Sequence, residues 1–437
     1  MDSVWRRTLS MPRFEPLQKN IDTDVLIIGG GMAGILCAWQ LRQAGIDCVL
    51  AEQDRICSGI TKNTTAKITL QHGLLYHKLG EEKAALYLHA NQAALEQYRK
   101  LCQTIDCDFE IQDSFVYSVD DIKCIENEAA ALKKLGVDAR IQTELPLPFS
   151  VKSAVQVKNQ AQFHPLKFVS SIAEGLPIYE HTKVQELMPG KAVTNGGVIR
   201  AKKTIVATHF PVLNKHGGYF LKLYQHRSYV LALKDVPRIS GMYVDEAKTG
   251  VSFRPYRDLL LLGGGAHRTG KEGGNWRELE RFAAEYFPRA QIVLRWATQD
   301  CMTLDGAPYI GQYAKSTPDL YVATGFNKWG MTTSMVAAML LGDLIQGKTN
   351  PWSGVFDPSR SVLHPQLAVN AMETVLNLIT PTVPRCPHMG CALKYNPDER
   401  SWDCPCHGSR FDREGCLLDN PATDDKKRLN DNSMTEC

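Results

Sequence analysis

The chain has 437 residues, 44% of them hydrophobic and 22% charged, with 50 Lys and Arg against 47 Asp and Glu. That length carries two or three domains, and so even a charge balance leaves no electrostatic footprint for nucleic acid. The most apolar late stretch, SMVAAMLLGDLIQG, is too short to cross a bilayer and contains Asp343, so no membrane span is expected.

Residues 1–19 read as an arm. Its Arg6–Arg7 pair is not followed by an apolar run, so it is not an export signal. Residues 20–75 open with an apolar strand, Asp24-Val-Leu-Ile-Ile, that runs into Gly29-x-Gly31-x-x-Gly34. A helix-like stretch, ILCAWQLRQAG, and a second strand, CVLAEQD, follow and end at Glu52 and Gln53. This is a complete βαβ dinucleotide fingerprint. Gly29 permits the tight turn, Gly31 lets the backbone approach a pyrophosphate, and Gly34 lets the helix pack closely on the strand. Met32 and Ala33 lie between these glycines, and Glu52 can accept a ribose hydroxyl.

Residues 80–135, such as EEKAALYLHANQAALEQYRKL, repeat apolar side chains every three to four positions and predict helix. Residues 150–210 are expected to return to the nucleotide domain, with TIVATH (204–209) as a strand ending beside the cofactor. From about 215 to 300, SYVLALK and DLLLLGGG read as strands and WRELERFAAEYF as a helix, as in an antiparallel substrate domain inserted into the nucleotide domain. A second dinucleotide site at Leu259–Gly274 is disfavoured because no acidic-ended strand follows. LYVATGFNKWGMTTS (320–334) reads as a strand, a glycine turn and a helix start. Residues 348–366 form a Pro- and Ser-containing linker, and 367–380 one short amphipathic helix.

The C-terminal part holds CPHMGC and CPCHGS, which place Cys386 and His388, then 15 residues, then Cys404 and His407. Two thiolates and two imidazoles in this order suit a Rieske 2Fe–2S centre, with the cysteines on one iron and the histidines on the other. Cys/His pairs at short spacing also suit zinc. Against zinc, Cys391 and Cys406 lie one in each loop, placed to form a disulfide, and Gly390 and Gly408 let both loops turn tightly. CPHMGC…WDCPCHGSRFD resembles the Rieske proteins of respiratory and photosynthetic cytochrome complexes. Rieske domains usually place several strands before the first ligand loop. Here only PTVPR separates the preceding helix from Cys386, so the module is expected to lean on the flavin domain or on a partner subunit. In the high-potential relatives a serine and a tyrosine after CPCHG donate to the cluster sulfurs. Ser409 matches the serine, and Phe411 stands at the tyrosine position.

The βαβ unit, TIVATH, DGAPYIG (305–311) and LYVATGFNKWGMTTS together resemble the D-amino-acid-oxidase-like superfamily of FAD enzymes, which includes glycine and sarcosine oxidases. GITKNTTAKITLQHG (59–73) resembles a subgroup of that superfamily carrying a C-terminal Rieske module. The resemblance implies an α/β and α+β chain: an FAD-binding Rossmann-like domain with an inserted antiparallel-sheet substrate domain, and a small all-β Rieske domain. It divides the chain into 1–366, with FAD-binding segments about 20–75, 150–210 and 300–347 and substrate segments about 76–149 and 211–299, and a linker helix with the cluster domain at 367–437. FAD contacts are then expected from Thr65, Ala66, Val184, Ala207 and Gly325 besides the fingerprint. Backbone N–H groups of Gly330, Met331 and Thr332 would face the flavin, where a positive helix end stabilises the reduced anion. Arg254 stands where relatives often bind a substrate carboxylate. Lys67 and His72 fall in the loop near the flavin, and His267 and Arg268 are further candidates. Some relatives tether flavin through a cysteine late in the chain, and the spacing of Cys301 does not align with it.

These readings predict an FAD-dependent dehydrogenase of the amine-oxidising type, with a small-molecule amine or amino-acid-like substrate. The cluster passes its electrons singly to an external acceptor, a protein or a quinone. Alternatives are a reductase running the opposite way and an electron-transfer or redox-sensing protein without an organic substrate. Thirteen cysteines, mostly scattered outside the cluster segment, suit buried thiols of a reduced cytoplasm.

Overall fold

A computed structural model describes residues 2–212, 216–247, 250–381 and 384–425. The PTVPR connector is therefore described only at Pro381, Pro384 and Arg385, and the end of the chain beyond 425 lies outside the described residues.

The nucleotide domain is built on an eight-stranded sheet. Its first strand, Ile21–Ile28, pairs in parallel with Cys48–Ala51 on one side and Val198–Val206 on the other. Val198–Val206 in turn pairs in parallel with Leu320–Thr324. The Met32–Gln43 helix has apolar residues on nearly all sides and is buried from Met32 to Ala38, as an interior helix must be. The late helix Gly330–Ile345 is equally apolar, and the two pack together. A Cβ on Gly342 would stand 2.9 Å from the Gln40 side chain.

The second sheet has nine strands, in the order 291–303, 223–234, 259–268, 252–256, 242–245, 110–118, 153–162 and 67–68, with 139–142 also pairing 153–162. Three expectations change here. Residues 153–162 belong to this sheet, not to the nucleotide domain: they pair with Glu110–Ser118 along most of their length, with Ala139–Gln142, and at one end with Lys67 and Ile68. The 80–135 stretch is two helices, Glu81–Leu101 and Ile122–Lys134, with the strand Glu110–Ser118 between them. The N-terminal arm is anchored: Trp5 is fully buried in the short helix Val4–Thr8 and its indole N–H donates to the Thr64 carbonyl at 2.7 Å. The linker likewise buries Val355 and Phe356.

Pro365–Ile379 forms the predicted helix, but inverted. It buries Asn370 and Asn377 and exposes Val369, Met372, Val375, Leu376 and Ile379. The cluster module is a four-stranded antiparallel sheet, Lys394–Asn396, Ser401–Asp403, Arg410–Phe411 and Leu417–Asp419. It rests on the second sheet of the larger domain. Glu399 accepts from Arg227 Nε at 2.9 Å, Arg410 Nη2 at 2.8 Å and Tyr229 OH at 2.9 Å. Burial alone would raise the Glu399 carboxyl, but Arg227 and Arg410 hold it down at about 2. Arg268 donates to the Pro405 and Cys406 carbonyls at 3.0 Å each. Among the described residues, no helix is long and apolar enough to cross a membrane.

Candidate functional site

A cavity of about 570 Å³ opens where the carboxyl ends of the parallel strands face the second sheet, the usual ligand position in open α/β sheets. Gly29, Gly31, Met32, Ala33, Glu52, Gln53, Thr65, Val184, Ala207, Gly325, Gly330 and Met331 all line it. The fingerprint glycines do three different jobs. Gly29 has φ +109°, and a Cβ there would lie 2.6 Å from the Ala207 carbonyl oxygen. At Gly34 a Cβ would lie 1.9 Å from the Gly29 oxygen, so this glycine packs helix on strand and faces away from the cavity. At Gly31 the nearest atom is Thr61 Oγ1 at 3.5 Å, which leaves room for a ligand. Glu52 accepts from the Gly30 N–H at 2.6 Å and the Asp54 N–H at 2.9 Å. Burial pushes its carboxyl up and those two N–H bonds pull it back. A cradle that only glycine fits, with a carboxylate at the next strand end, suits a dinucleotide.

Two other expected contacts lie behind the wall. Thr332 Oγ1 accepts from the Thr69 N–H and donates to the Thr69 oxygen at 2.9 Å, which ties the 59–73 loop to the late helix. Ala66 is fully buried with φ 56°. Cys57, His209, Asn327 and Lys328 also have positive φ, between 50° and 73°, and all four line the cavity. Left-handed non-glycine backbone costs about 1–3 kcal/mol per residue, and such residues gather at functional sites.

The catalytic candidates separate. Lys67 lines the cavity and its Nζ donates to Thr65 Oγ1 at 3.1 Å. Burial, then the nearby Arg254 guanidinium, pushes the amine down to about 7. Arg254 itself is fully buried outside the cavity wall. It donates to the Phe163 oxygen at 2.8 Å and lies over the Trp5 and Tyr256 rings, so it is not placed to meet a substrate carboxylate. His267 also leaves the site. It hydrogen-bonds Tyr229 OH at 3.1 Å and the Arg268 oxygen at 2.9 Å, on the side toward the cluster module. His72 stacks on Trp329 at 4.9 Å and hydrogen-bonds Tyr87 OH at 2.6 Å; burial lowers it to about 3. It supports the wall from behind. The Leu259–Arg268 stretch is a strand of the second sheet, which excludes a second βαβ nucleotide site there. Cys301 faces the cavity, but burial pushes its thiol up to about 12, away from a reactive thiolate.

Several cavity residues carried no sequence signal. Asp300 and Lys328 face one another electrostatically, burial raising the acid and lowering the amine. Leu418, Asp419, Asn420, Ala422 and Thr423 come from the cluster module, so both modules form one wall.

The two ligand loops have the same backbone frame. Cys386 N donates to the Cys391 oxygen at 2.9 Å and Cys404 N to the Ser409 oxygen at 2.8 Å. Gly390 N and Gly408 N return to the Cys386 and Cys404 oxygens at 2.8 and 2.9 Å. Cys391 and Cys406 are disulfide-bonded across the loops. The sulfurs of Cys391, Cys404 and Cys406 lie within 4.8 Å of one another. Two of these are spent in the disulfide; Cys386 and Cys404 are free thiols, one in each loop. Cys404 hydrogen-bonds Cys386, and with the loop N–H groups and the Ser409 hydroxyl it lowers the Cys386 thiol. The His388 and His407 rings stand 5.0 Å apart, and burial lowers them to about 4 and about 3. Both ring nitrogens of buried His407 lack a hydrogen-bond partner among the described residues; the Phe220 backbone lies near but outside bonding geometry. Orphaned, neutral imidazole nitrogens beside two thiols fit a metal cluster.

The profile of the family "FAD dependent oxidoreductase" matches residues 24–344, and that of the "Rieske [2Fe-2S] domain" matches residues 367–430. The chain is an FAD-dependent oxidoreductase with a C-terminal Rieske domain. It binds FAD and a 2Fe–2S cluster, as these two families do. This FAD-dependent oxidoreductase is 33% identical to YhfW of Bacillus subtilis (strain 168), named as a Rieske 2Fe-2S iron-sulfur protein, over 98% of this chain and 97% of that one. It is 22% identical to the gamma-glutamylputrescine oxidoreductase of Escherichia coli (strain K12), over 76% of this chain and 86% of the other. The crystal structure of glycine oxidase from Geobacillus kaustophilus shares its fold with a TM-score of 0.67 and 19% identity, covering 78% of this chain and 99% of that one.

Proposed function

We propose that this enzyme is a dehydrogenase that oxidises the carbon–nitrogen bond of an amine and sends the electrons, one at a time, through the Rieske cluster to an external protein or quinone acceptor. The observation that carries this reading is the shared wall. Leu418–Asn420, Ala422 and Thr423 of the cluster module line the same cavity as Gly29, Gly31 and Gly330. Bound FAD supplies a two-electron acceptor for hydride leaving the carbon beside nitrogen. The cluster ligands are Cys386, His388, Cys404 and His407, and the FAD pyrophosphate lies at Gly29, Gly31 and the start of the Met32 helix.

The described wall holds the carboxylates of Asp245, Glu246 and Asp300, the amines of Lys67 and Lys328, and no arginine. The carboxylates suit a cationic amine, in keeping with a relative named for gamma-glutamylputrescine. Lys67, poised near pH 7, takes the substrate-side proton. The thiols of Cys37, Cys48, Cys57, Cys102 and Cys107 suit a cytoplasmic setting. The test is anaerobic mixing of purified enzyme with a panel of amines and amino acids. One class should bleach the flavin and then bring up the reduced-cluster electron paramagnetic resonance (EPR) signal. If NADH gives both changes and no amine does, the enzyme runs as a reductase and the proposal fails.

A further inference from the structure

The strand Val198–Val206 ends in Ala207, Thr208 and His209, which line the cavity. The next residue, Phe210, is fully buried and turned the other way. Its ring meets both ligand imidazoles edge-on, at 6.4 Å from His388 and 6.3 Å from His407. A single peptide step thus separates a residue that faces the cofactor cavity from one that touches the cluster's histidines.

Gln225 holds this step in place. It is buried on the strand Leu223–Lys234, and its amide nitrogen donates to the His407 oxygen at 2.8 Å and the Asn420 oxygen at 2.9 Å. Two carbonyl partners fix which end of the amide is nitrogen. Its oxygen is therefore an acceptor, and it accepts from Gln299 Nε2 at 2.8 Å and from His209 Nε2 at 3.1 Å. His209 must then carry its proton on Nε2. Gln299 also donates to the Gly408 oxygen at 2.8 Å. Asn420 returns to the starting strand, donating to the Thr208 oxygen at 2.5 Å and the Phe210 oxygen at 2.9 Å. The bonds of Gln225 to His407 and Asn420, of Gln299 to Gly408, and of Asn420 to Thr208 and Phe210 join the flavin domain to the second ligand loop or its neighbour, and His209 and Gln299 brace Gln225 from within the flavin domain. Thr324 Oγ1 closes the far side by donating to the His209 oxygen at 2.5 Å.

We propose that Thr208–His209–Phe210 is the route by which electrons leave the flavin for the cluster, and that Gln225 is the positioning residue that holds the His407 loop against it. This rests on the flavin-to-cluster direction argued above. The transfer moves one electron at a time from reduced flavin to the oxidised cluster, and the external acceptor reoxidises the cluster.

The test uses flash photoreduction of the flavin in the anaerobic holoenzyme, with oxalate as donor. Cluster reduction is followed by freeze-quench EPR on the cluster-containing fraction only. Gln225→Leu removes the bonds to the His407 and Asn420 oxygens, and Phe210→Leu removes the ring packed against both histidines without touching a side-chain hydrogen bond. Each should slow cluster reduction by about tenfold or more, as loss of alignment does elsewhere. Flavin photoreduction and the two midpoint potentials should stay unchanged. A wild-type transfer rate in either variant overturns the route. Should the wild type itself transfer no electron from photoreduced flavin to cluster, the dehydrogenase reading falls with it, which separates the two failures.

Discussion

Gly408→Ala offers a direct measure of what docking contributes to the cluster module. Gly408 has φ +87°, and a Cβ there would lie 2.6 Å from Gln225 Cβ and 2.9 Å from Gln225 Nε2. Gly390 holds the equivalent place in the other loop with φ +77°, and a Cβ there meets nothing within 4 Å. Both alanines suffer the left-handed backbone penalty, about 1–2 kcal/mol. Only Gly408→Ala adds overpacking against the flavin domain, about 1–3 kcal/mol. Subtracting one variant from the other cancels the backbone term and isolates the contact. The assay is urea-induced bleaching of the cluster's visible absorbance at constant FAD. Gly408→Ala should shift the midpoint further than Gly390→Ala and should also loosen Gln225's bonds to the loop. Equal shifts for the two variants would falsify the claim that this contact holds the module in place.

Other outcomes follow from the same geometry. Gly31→Val should give folded protein without flavin, because only Thr61 Oγ1 lies near, at 3.5 Å; full flavin occupancy refutes the assignment. Phe411→Tyr places a hydroxyl among the cluster cysteines. One hydrogen bond to sulfur, about 1 kcal/mol, raises the potential by roughly 40 mV for a one-electron couple, and an unchanged or lower potential in redox titration contradicts this. Glu399 is held at about 2, below its usual 4.5. It therefore adds stability that is full above pH 4.5 and is lost as the pH falls toward 2. Glu399→Gln should cost about 1–3 kcal/mol, since it removes one charged acceptor from Arg227 and Arg410 while Asp403 and Asp419 still pair with Arg410; acid titration of cluster absorbance should lose that pH dependence. Lys67, at about 7, is protonated below that pH and neutral above it. Flavin reduction by substrate should rise through pH 7, and Lys67→Met should flatten the profile.

Both cofactors were legible in the sequence, because each needs special residues at fixed spacing. The Gly29–Gly34 fingerprint and the two ligand loops are local, and local chemistry survives without knowledge of the fold. The catalytic candidates fared differently. Arg254 and His267 lie on neighbouring strands of the second sheet, and sequence could not tell which would reach the cavity. Strand alternation sends neighbouring residues to opposite faces, and the register that decides is set by pairing far along the chain. Gln225 was invisible for the same reason. A buried glutamine in a strand becomes meaningful only when residues about 180 positions later arrive beside it. The 153–162 strand was misplaced because its main partner, Glu110–Ser118, lies in the stretch whose periodicity reads as helix throughout.

The helix Pro365–Ile379 turns its asparagines inward and its aliphatic side chains outward. Asn370 is claimed by Arg268, whose other nitrogens hold the Cys406 loop. Polarity inside this helix is therefore spent on fixing the cluster, and the apolar residues are left on the outside with Met389, which is 37% exposed beside the ligand His388. In water, that combination carries a solvation cost on the outer side of the cluster module. A surface that covered those side chains would gain apolar burial, and salt, which screens charge, should change that contact less than it changes a charge-steered one.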